Sequence, residues 1–280
     1  MTGKNLYDKV CYECSEVTTK KYSTSFSLGI KMLSKKFHNP IYGIYGFVRF
    51  ADEIVDTFHE HNKTNLIAKF EKDTYAAIFD KISLNPILHS FQDVVNTYKI
   101  ERELIDAFLF SMKMDIDKKE YTRESYEKYI LGSAEVVGLM CLRVFCLGDE
   151  KMYQELKPNA MRLGAAFQKI NFLRDLNADV YTLGRSYFPQ FDLTRFDEAM
   201  KLEIENEIEL DFKAGLDGIK KLPYGARFGV YMAYVYYYAL FNKIKNQTPK
   251  RILEERVRIS DNKKYALIVT SYVRHRFNLI

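Results

Sequence analysis

Residues 41–58 read IYGIYGFVRFADEIVDTF. At about 100° per residue, Tyr45, Arg49, Asp52 and Asp56 fall within about 60° of one another, while Phe47, Phe50, Ala51, Ile54 and Val55 take the opposite arc. A helix divided in this way packs through one face and keeps its chemistry on the other, with Glu53 at the boundary. Taken alone, it would pass for an ordinary amphipathic helix with its acidic side in water. Residues 162–189, RLGAAFQKINFLRDLNADVYTLGRSYFP, repeat the arrangement: Gln168, Asn171, Asp175 and Asp179 form one stripe, and Arg174 stands beside Asp175. Aspartates four apart on a helix repel by roughly 0.2–0.5 kcal/mol. No basic side chain lies three or four residues from Asp175 or Asp179, so a cation must come from elsewhere. Two stripes of carboxylates with Arg, Asn and Gln suit oxygen-ligated Mg²⁺ that in turn holds a polyphosphate. Spacing alone does not name the reaction.

The rest of the chain points to helices as well. Its 280 residues are 47% hydrophobic and 28% charged, as in a globular protein, yet Gly 13 and Pro 6 together reach only half the usual share of about 12%. Few tight turns are available, and apolar residues recur at three and four, as in Ile204, Ile208, Phe212 and Leu216. The reading is one all-α domain over 1–280, of about eight to ten helices, with Asn39-Pro40 and Asn85-Pro86 as cap plus first turn. No linker, repeat or low-complexity tract interrupts it.

Several functions are disfavoured. The net charge of +5 is a mild excess without a basic stripe, so no nucleic-acid partner is expected. The five histidines give neither Glu-x-x-His nor His-Glu-x-x-His, and His59 and His61 read as a surface loop. Cys11 and Cys14 form a lone C-x-x-C, while Cys141 and Cys146 read as core. The acidic run Glu203, Glu205, Glu207, Glu209 and Asp211 reads as a solvated helix face. The longest charge-free apolar stretch, Phe228 to Asn242, is shorter than the roughly 20 residues of a membrane span. The N-terminus carries charges where a signal peptide has its apolar region. A cytoplasmic location is expected, with peripheral membrane contact.

The segments DEIVD (52–56), NFLRDLNAD (171–179) and GRSYFP (184–189) closely resemble the aspartate motifs of the phytoene and squalene synthase family. YSTSFSLGIKML (22–33) resembles that family's N-terminal Ser-x-Ser-Phe segment, and YILGSAEVVGLMCLRVF (129–145) its central helix. The resemblance runs from about residue 20 to the C-terminus. It implies an all-α isoprenoid synthase fold around a central cavity, with the two aspartate helices facing across it. It further implies that Asp52, Asp56, Asp175 and Asp179 bind Mg²⁺, or Mn²⁺ in its place, with Glu53 as a helper. Arg49, Arg174, Asn171, Gln168, Tyr45, Ser23 and Ser25 would hold diphosphate or steady a cation, joined by Tyr129, Arg256 and Lys264. Two departures stand out: Glu135 where many members have glycine, and Ala178 where an acid is common.

The reaction implied is head-to-head condensation of two prenyl diphosphates through a cyclopropylcarbinyl diphosphate. The wording GSAEVVGLMCL, Ile30 in a first-helix position where shorter-chain relatives place an aromatic, and the lack of a hydrophobic tail resemble bacterial phytoene synthases. That implies two geranylgeranyl diphosphates as substrates, no NADPH, and a product passed to downstream carotenoid enzymes. Dehydrosqualene or squalene synthesis from farnesyl diphosphate is the alternative. A non-catalytic assembly factor of this family would be expected to have lost its aspartates, and here both pairs are present.

Overall fold

The computed structural model describes residues 3–117, 121–181, 187–189, 196–260, 266–267, 270–272 and 274. Among them there is no strand. The helices are α1 (Gly3–Tyr22), α2 (Thr24–Lys31), α3 (Lys35–Asp56), α4 (Lys63–Asp80), α5 (Pro86–Tyr98), α6 (Arg102–Asp117), α7 (Arg123–Ile130), α8 (Val136–Cys146), α9 (Glu150–Tyr181), α10 (Glu198–Lys221), α11 (Tyr224–Lys245) and α12 (Pro249–Glu254), with a π-helical turn, Leu131–Glu135, joining α7 to α8. The twelve α-helices named among the described residues exceed the eight to ten expected, because short ones such as α2 and α12 carry little periodicity and the π turn divides one apolar run.

Local chemistry sets most of the ends. Asn85 accepts from the amides of Ile87 and Leu88, and Pro86 opens α5, as its sequence indicates. Ser23, Asn62, Thr122, Asp197 and Thr248 cap α2, α4, α7, α10 and α12 in the same manner. Asn39-Pro40 is a different case. α3 starts at Lys35, and Pro40 lies inside it. Pro158 likewise sits within α9, which begins twelve residues before the stripe first noted at 162.

On α3, Phe47 and Ala51 are fully buried, and Ile54 and Val55 nearly so, whereas Phe50 stays 37% exposed. The apolar arc is therefore narrower than the helical plot suggested. Phe47 stacks on Phe91 with centroids 3.8 Å apart and centres the packing of α3, α4, α5 and α6. Phe212, ringed by Phe241, Tyr234 and Tyr238, does the same for α10 and α11. α8 and the π turn lie between, against α3, α6 and α9. The π turn meets α9 backbone to backbone: a Cβ on Gly164 would stand 2.7 Å from the Ala134 carbonyl oxygen. Arg123–Cys146 is long and apolar enough to cross a membrane by length and composition, but 56% of its apolar window is buried inside the protein, as in a core helix.

Candidate active site

Between α2, α8, α9, α10 and α11 lies an apolar cavity of about 260 Å³. A water needs only about 10–15 Å³ on that measure, so this is no packing defect. Phe26, Ile30, Phe167 and Gln168 line it at one end, and Leu156, Phe145 and Leu222 lie farther along the same helices. From Gln168 to Leu156, twelve residues of α9 span about 18 Å. Next to it, on α2 and α11, opens a polar cleft lined by Ser23, Thr24, Ser25, Arg174, Tyr236, Lys243, Arg256 and Arg258. Four cations and four hydroxyl side chains among these thus adjoin a greasy channel.

The first stripe stands beside the cleft. Arg49 pairs with Glu53, approaches Asp52 at 4.0 Å, and lays its guanidinium over the Tyr22 ring at 4.3 Å. Its Nε is buried and has no hydrogen-bond partner. Asp52 keeps 31% of its side-chain surface accessible, but burial beneath the surrounding helices, helped by the charges of Asp56 and Asp115 and opposed by Arg49, pushes its pKa up to about 8. The accessible part therefore faces a recess, not bulk water. Tyr45 tilts against Phe26 at 4.9 Å, and burial, opposed by Arg49, pushes its hydroxyl up to about 12. Glu53 is committed to Arg49 in this structure.

On the second stripe, Arg174 forms two hydrogen bonds with Asp175, and Arg256 Nε reaches the same carboxylate at 2.6 Å. The cation that local spacing could not supply comes from 81 residues downstream. Asn171 bonds Gln168 at 3.4 Å and accepts from Tyr237 at 3.3 Å. Tyr237 also stacks on Phe167 at 4.1 Å and escaped the sequence reading, hidden in the YVYYY run of α11. Lys243 and Tyr22 escaped too, because nothing local marks them, whereas Arg258 lies in the basic region Arg251 to Arg276. Asp56 is exposed and Asp179 half-buried. Lys264 lies outside the described residues, as does 184–186 of the GRSYFP segment.

Two expectations need correction. Tyr129 is not in the polar cleft: it is 4% exposed, and its hydroxyl donates to Asp115 at 2.6 Å. The acidic run on α10 is not a solvated face. Residues spaced by two rotate about 200° per step, so the run circles the helix and Asp211 ends fully buried, held by Lys169 at 2.9 Å and Arg162 at 2.8 Å. Glu205 is also buried, against Lys201 at 2.7 Å. Glu207 joins Lys169 to Arg123. Glu135, at the end of the π turn, faces this network and not the cavity; burial and Asp211 push its pKa up to about 7 against the pull of Arg162 and Lys169.

The four motif aspartates offer oxygen ligands alone, the donor set Mg²⁺ prefers. Among the described residues no three acidic, His or Cys side chains close on one point. Paired carboxylates of this kind fit a hydrated Mg²⁺ that completes its shell with water and substrate phosphate. Burial first, and then the charge of Asp56, disfavour the Asp52 anion, a penalty that such an ion would relieve.

Known proteins share this architecture. A solved dehydrosqualene synthase superposes with a TM-score of 0.81 over 96% of this chain and 98% of its own, at 21% identity. A squalene synthase from Alicyclobacillus acidocaldarius gives 0.75 over 89% and 97%, at 18% identity. In sequence, the phytoene synthase of Arthrospira platensis is 23% identical over 95% of this chain and 93% of its own length. A chloroplastic phytoene synthase of Daucus carota is 28% identical over 69% of this chain, which spans about half (49%) of that protein. A presqualene diphosphate synthase of Sinorhizobium fredii is 30% identical over 61% of this chain and 60% of its own. The squalene/phytoene synthase family model matches residues 19–263, so the chain belongs to that family of prenyltransferases with the all-α isoprenoid synthase fold.

Proposed function

We propose that the protein joins two molecules of geranylgeranyl diphosphate head to head to give phytoene. The observation that carries this is a cationic cleft adjoining an apolar channel about 18 Å long, measured along α9. An extended chain advances about 1.25 Å per bond, so the 16-carbon main chain of a geranylgeranyl tail reaches about 19 Å and the 12-carbon chain of farnesyl about 14 Å. The longer tail uses the full channel. Ile30, 2% exposed, lies on α2 against the cavity and leaves it open where an aromatic side chain would narrow it.

Arg174, Arg256, Lys243 and Arg258 match the charge of diphosphate, and the unpartnered Nε of Arg49 offers one more donor. Asp52 and Asp56, with Asp175 and Asp179, would hold Mg²⁺. Bound there, the metal supplies Lewis-acid neutralisation of the leaving diphosphate. In the proposed reaction the C1–O bond of one substrate breaks, its electron pair leaving with diphosphate. The double bond of the second substrate attacks the allyl cation, giving a cyclopropylcarbinyl diphosphate. A second ionisation, rearrangement and proton loss complete the product. The protein's task is to hold the diphosphates, keep water out and present apolar and aromatic walls, Phe26 and Phe167 among them, to the cation.

Incubating purified protein with Mg²⁺ and either prenyl diphosphate, with and without NADPH, tests the proposal. A C40 product without NADPH is expected; a C30 product would overturn the choice of substrate. The likeness to presqualene diphosphate and dehydrosqualene synthases makes farnesyl diphosphate the second reading. A lipid product also fits peripheral membrane contact. Phe79, Ile82 and Leu84, 86%, 51% and 93% exposed, project around the α4–α5 loop, and Tyr7 bonds Ser83 so that Leu6 joins them. Sedimentation with anionic phosphatidylglycerol vesicles, lost on Phe79→Ser and Leu84→Ser, is the expected result; unchanged binding would remove this patch from consideration.

A further inference from the structure

Asp115, near the C-terminal end of α6, is 4% exposed and accepts hydrogen bonds from three tyrosines. Tyr129 donates to Oδ2 at 2.6 Å, while Tyr121 and Tyr187 donate to Oδ1 at 3.2 and 3.1 Å. The three rings form a triangle with centroids 4.9–5.4 Å apart, themselves 4–7% exposed. They come from the segment before α7, from α7 itself and from the segment after α9. Tyr129 opens the 129–145 segment and Tyr187 lies in GRSYFP, but no single motif joins them to Asp115, and neither the four motif aspartates nor the lining of the polar cleft includes them.

Two observations place the cluster beside the reaction centre. Asp115 lies on α6, which packs against α3, the helix of the first stripe. Tyr187 stacks on Phe172 with centroids 4.3 Å apart and planes 13° apart, and Phe172 directly follows Asn171 on the second stripe. The cluster thus touches both carboxylate helices from below. A buried carboxylate is costly to keep, and a neutral core of the same shape would hold the chain together with less penalty.

The chemistry of the hydroxyl suggests what is gained. A phenol has one proton, and each of these is committed to Asp115, so every tyrosine oxygen retains only acceptor capacity. We propose that Asp115 is a positioning residue for the condensation: it fixes the hydroxyls of Tyr129 and Tyr187 as oriented acceptors, whose negative ends steady the carbocations formed between the two stripes. Oriented dipoles of this kind act in the transition state and need not bind the ground state. The proposal rests on the prenyl diphosphate reading above.

Asp115→Asn is nearly isosteric, but its amide must donate, which turns one tyrosine hydroxyl around. The expected result is a fall in kcat of about 100-fold with KM changed less than about threefold and the helical circular dichroism intact. Acting through Tyr129 and Tyr187, the change should be redundant with their removal: in a background carrying both Tyr129→Phe and Tyr187→Phe, Asp115→Asn should cost less than about threefold more, by the logic of a double-mutant cycle. Tyr121→Phe, which spares the other two hydrogen bonds, should change kcat less than about threefold. An unchanged kcat in Asp115→Asn, losses that multiply when it is combined with Tyr129→Phe and Tyr187→Phe, or a protein that no longer folds would each overturn the proposal while wild-type turnover upholds the functional reading. No turnover by wild type with either prenyl diphosphate would overturn both.

Discussion

Replacing Asp52 by Asn should stabilise the metal-free protein at neutral and alkaline pH. The carboxyl titrates near 8 in the folded protein instead of at its ordinary 3.8, because burial and its acidic neighbours disfavour the charged form. Between those values the folded state holds a proton that the unfolded state has released. Stability from this group is therefore greatest at low pH and falls as pH rises towards 8, the opposite of a salt-bridged carboxylate. At about 1.36 kcal/mol per pH unit the full penalty has a ceiling near 6 kcal/mol. Solvent reaching the accessible 31% of the side chain screens it to about 2 kcal/mol. Urea denaturation of wild type and Asp52→Asn in EDTA at pH 5, 6, 7 and 8 isolates the residue, since other groups cancel in the difference. The variant should gain about 2 kcal/mol on wild type across that range, or about 3 °C in Tm for a chain of this size. Added Mg²⁺ should narrow the gap by stabilising wild type alone. Parallel pH profiles, or a variant less stable at pH 8, would mean that Asp52 carries no such penalty.

Other perturbations separate tunnel, scaffold and cleft. Ile30→Phe should narrow the cavity and shift the preference from geranylgeranyl towards farnesyl diphosphate by at least about tenfold, read as the ratio of kcat/KM values; an unchanged ratio would show that Ile30 does not set tail length. Gly164→Val drives a side chain into the Ala134 carbonyl and should cost about 2 kcal/mol in urea denaturation. Lys169→Met leaves Asp211 buried with only Arg162 beside it and should cost about 3 kcal/mol; a neutral result would mean the α9–α10 network adds nothing to stability. Arg256→Ala should raise KM for the prenyl diphosphate about tenfold, the value of one charge-assisted hydrogen bond, with little change in Tm.

The legible parts of this protein are those written within a single helix. Asp52 and Asp56, or Asp175 and Asp179, sit four residues apart and so share a face whatever the rest of the chain does. The same periodicity placed Phe47, Ala51 and Val55 in the core, and Asn85 with Pro86 at a helix start. It failed where a second helix overrides the pattern. Glu205 and Asp211 were read as solvated because the sequence does not reveal that Lys201, Lys169 and Arg162 stand ready to neutralise them indoors. Pro40 was read as a first-turn residue, although the helix begins at Lys35.

The helical class, the two carboxylate stripes and, through their motifs, the family follow from residue order alone. Helix packing is what sets Arg256 against Asp175, links α11 to Asn171 through Tyr237, turns Tyr129 to Asp115 and away from the cleft, and puts Glu135 in a buried ionic network instead of the cavity wall. The division has a physical cause. Backbone periodicity fixes which side chains share a face over one or two turns, whereas contacts between residues tens of positions apart depend on how the helices pack, which no local spacing records.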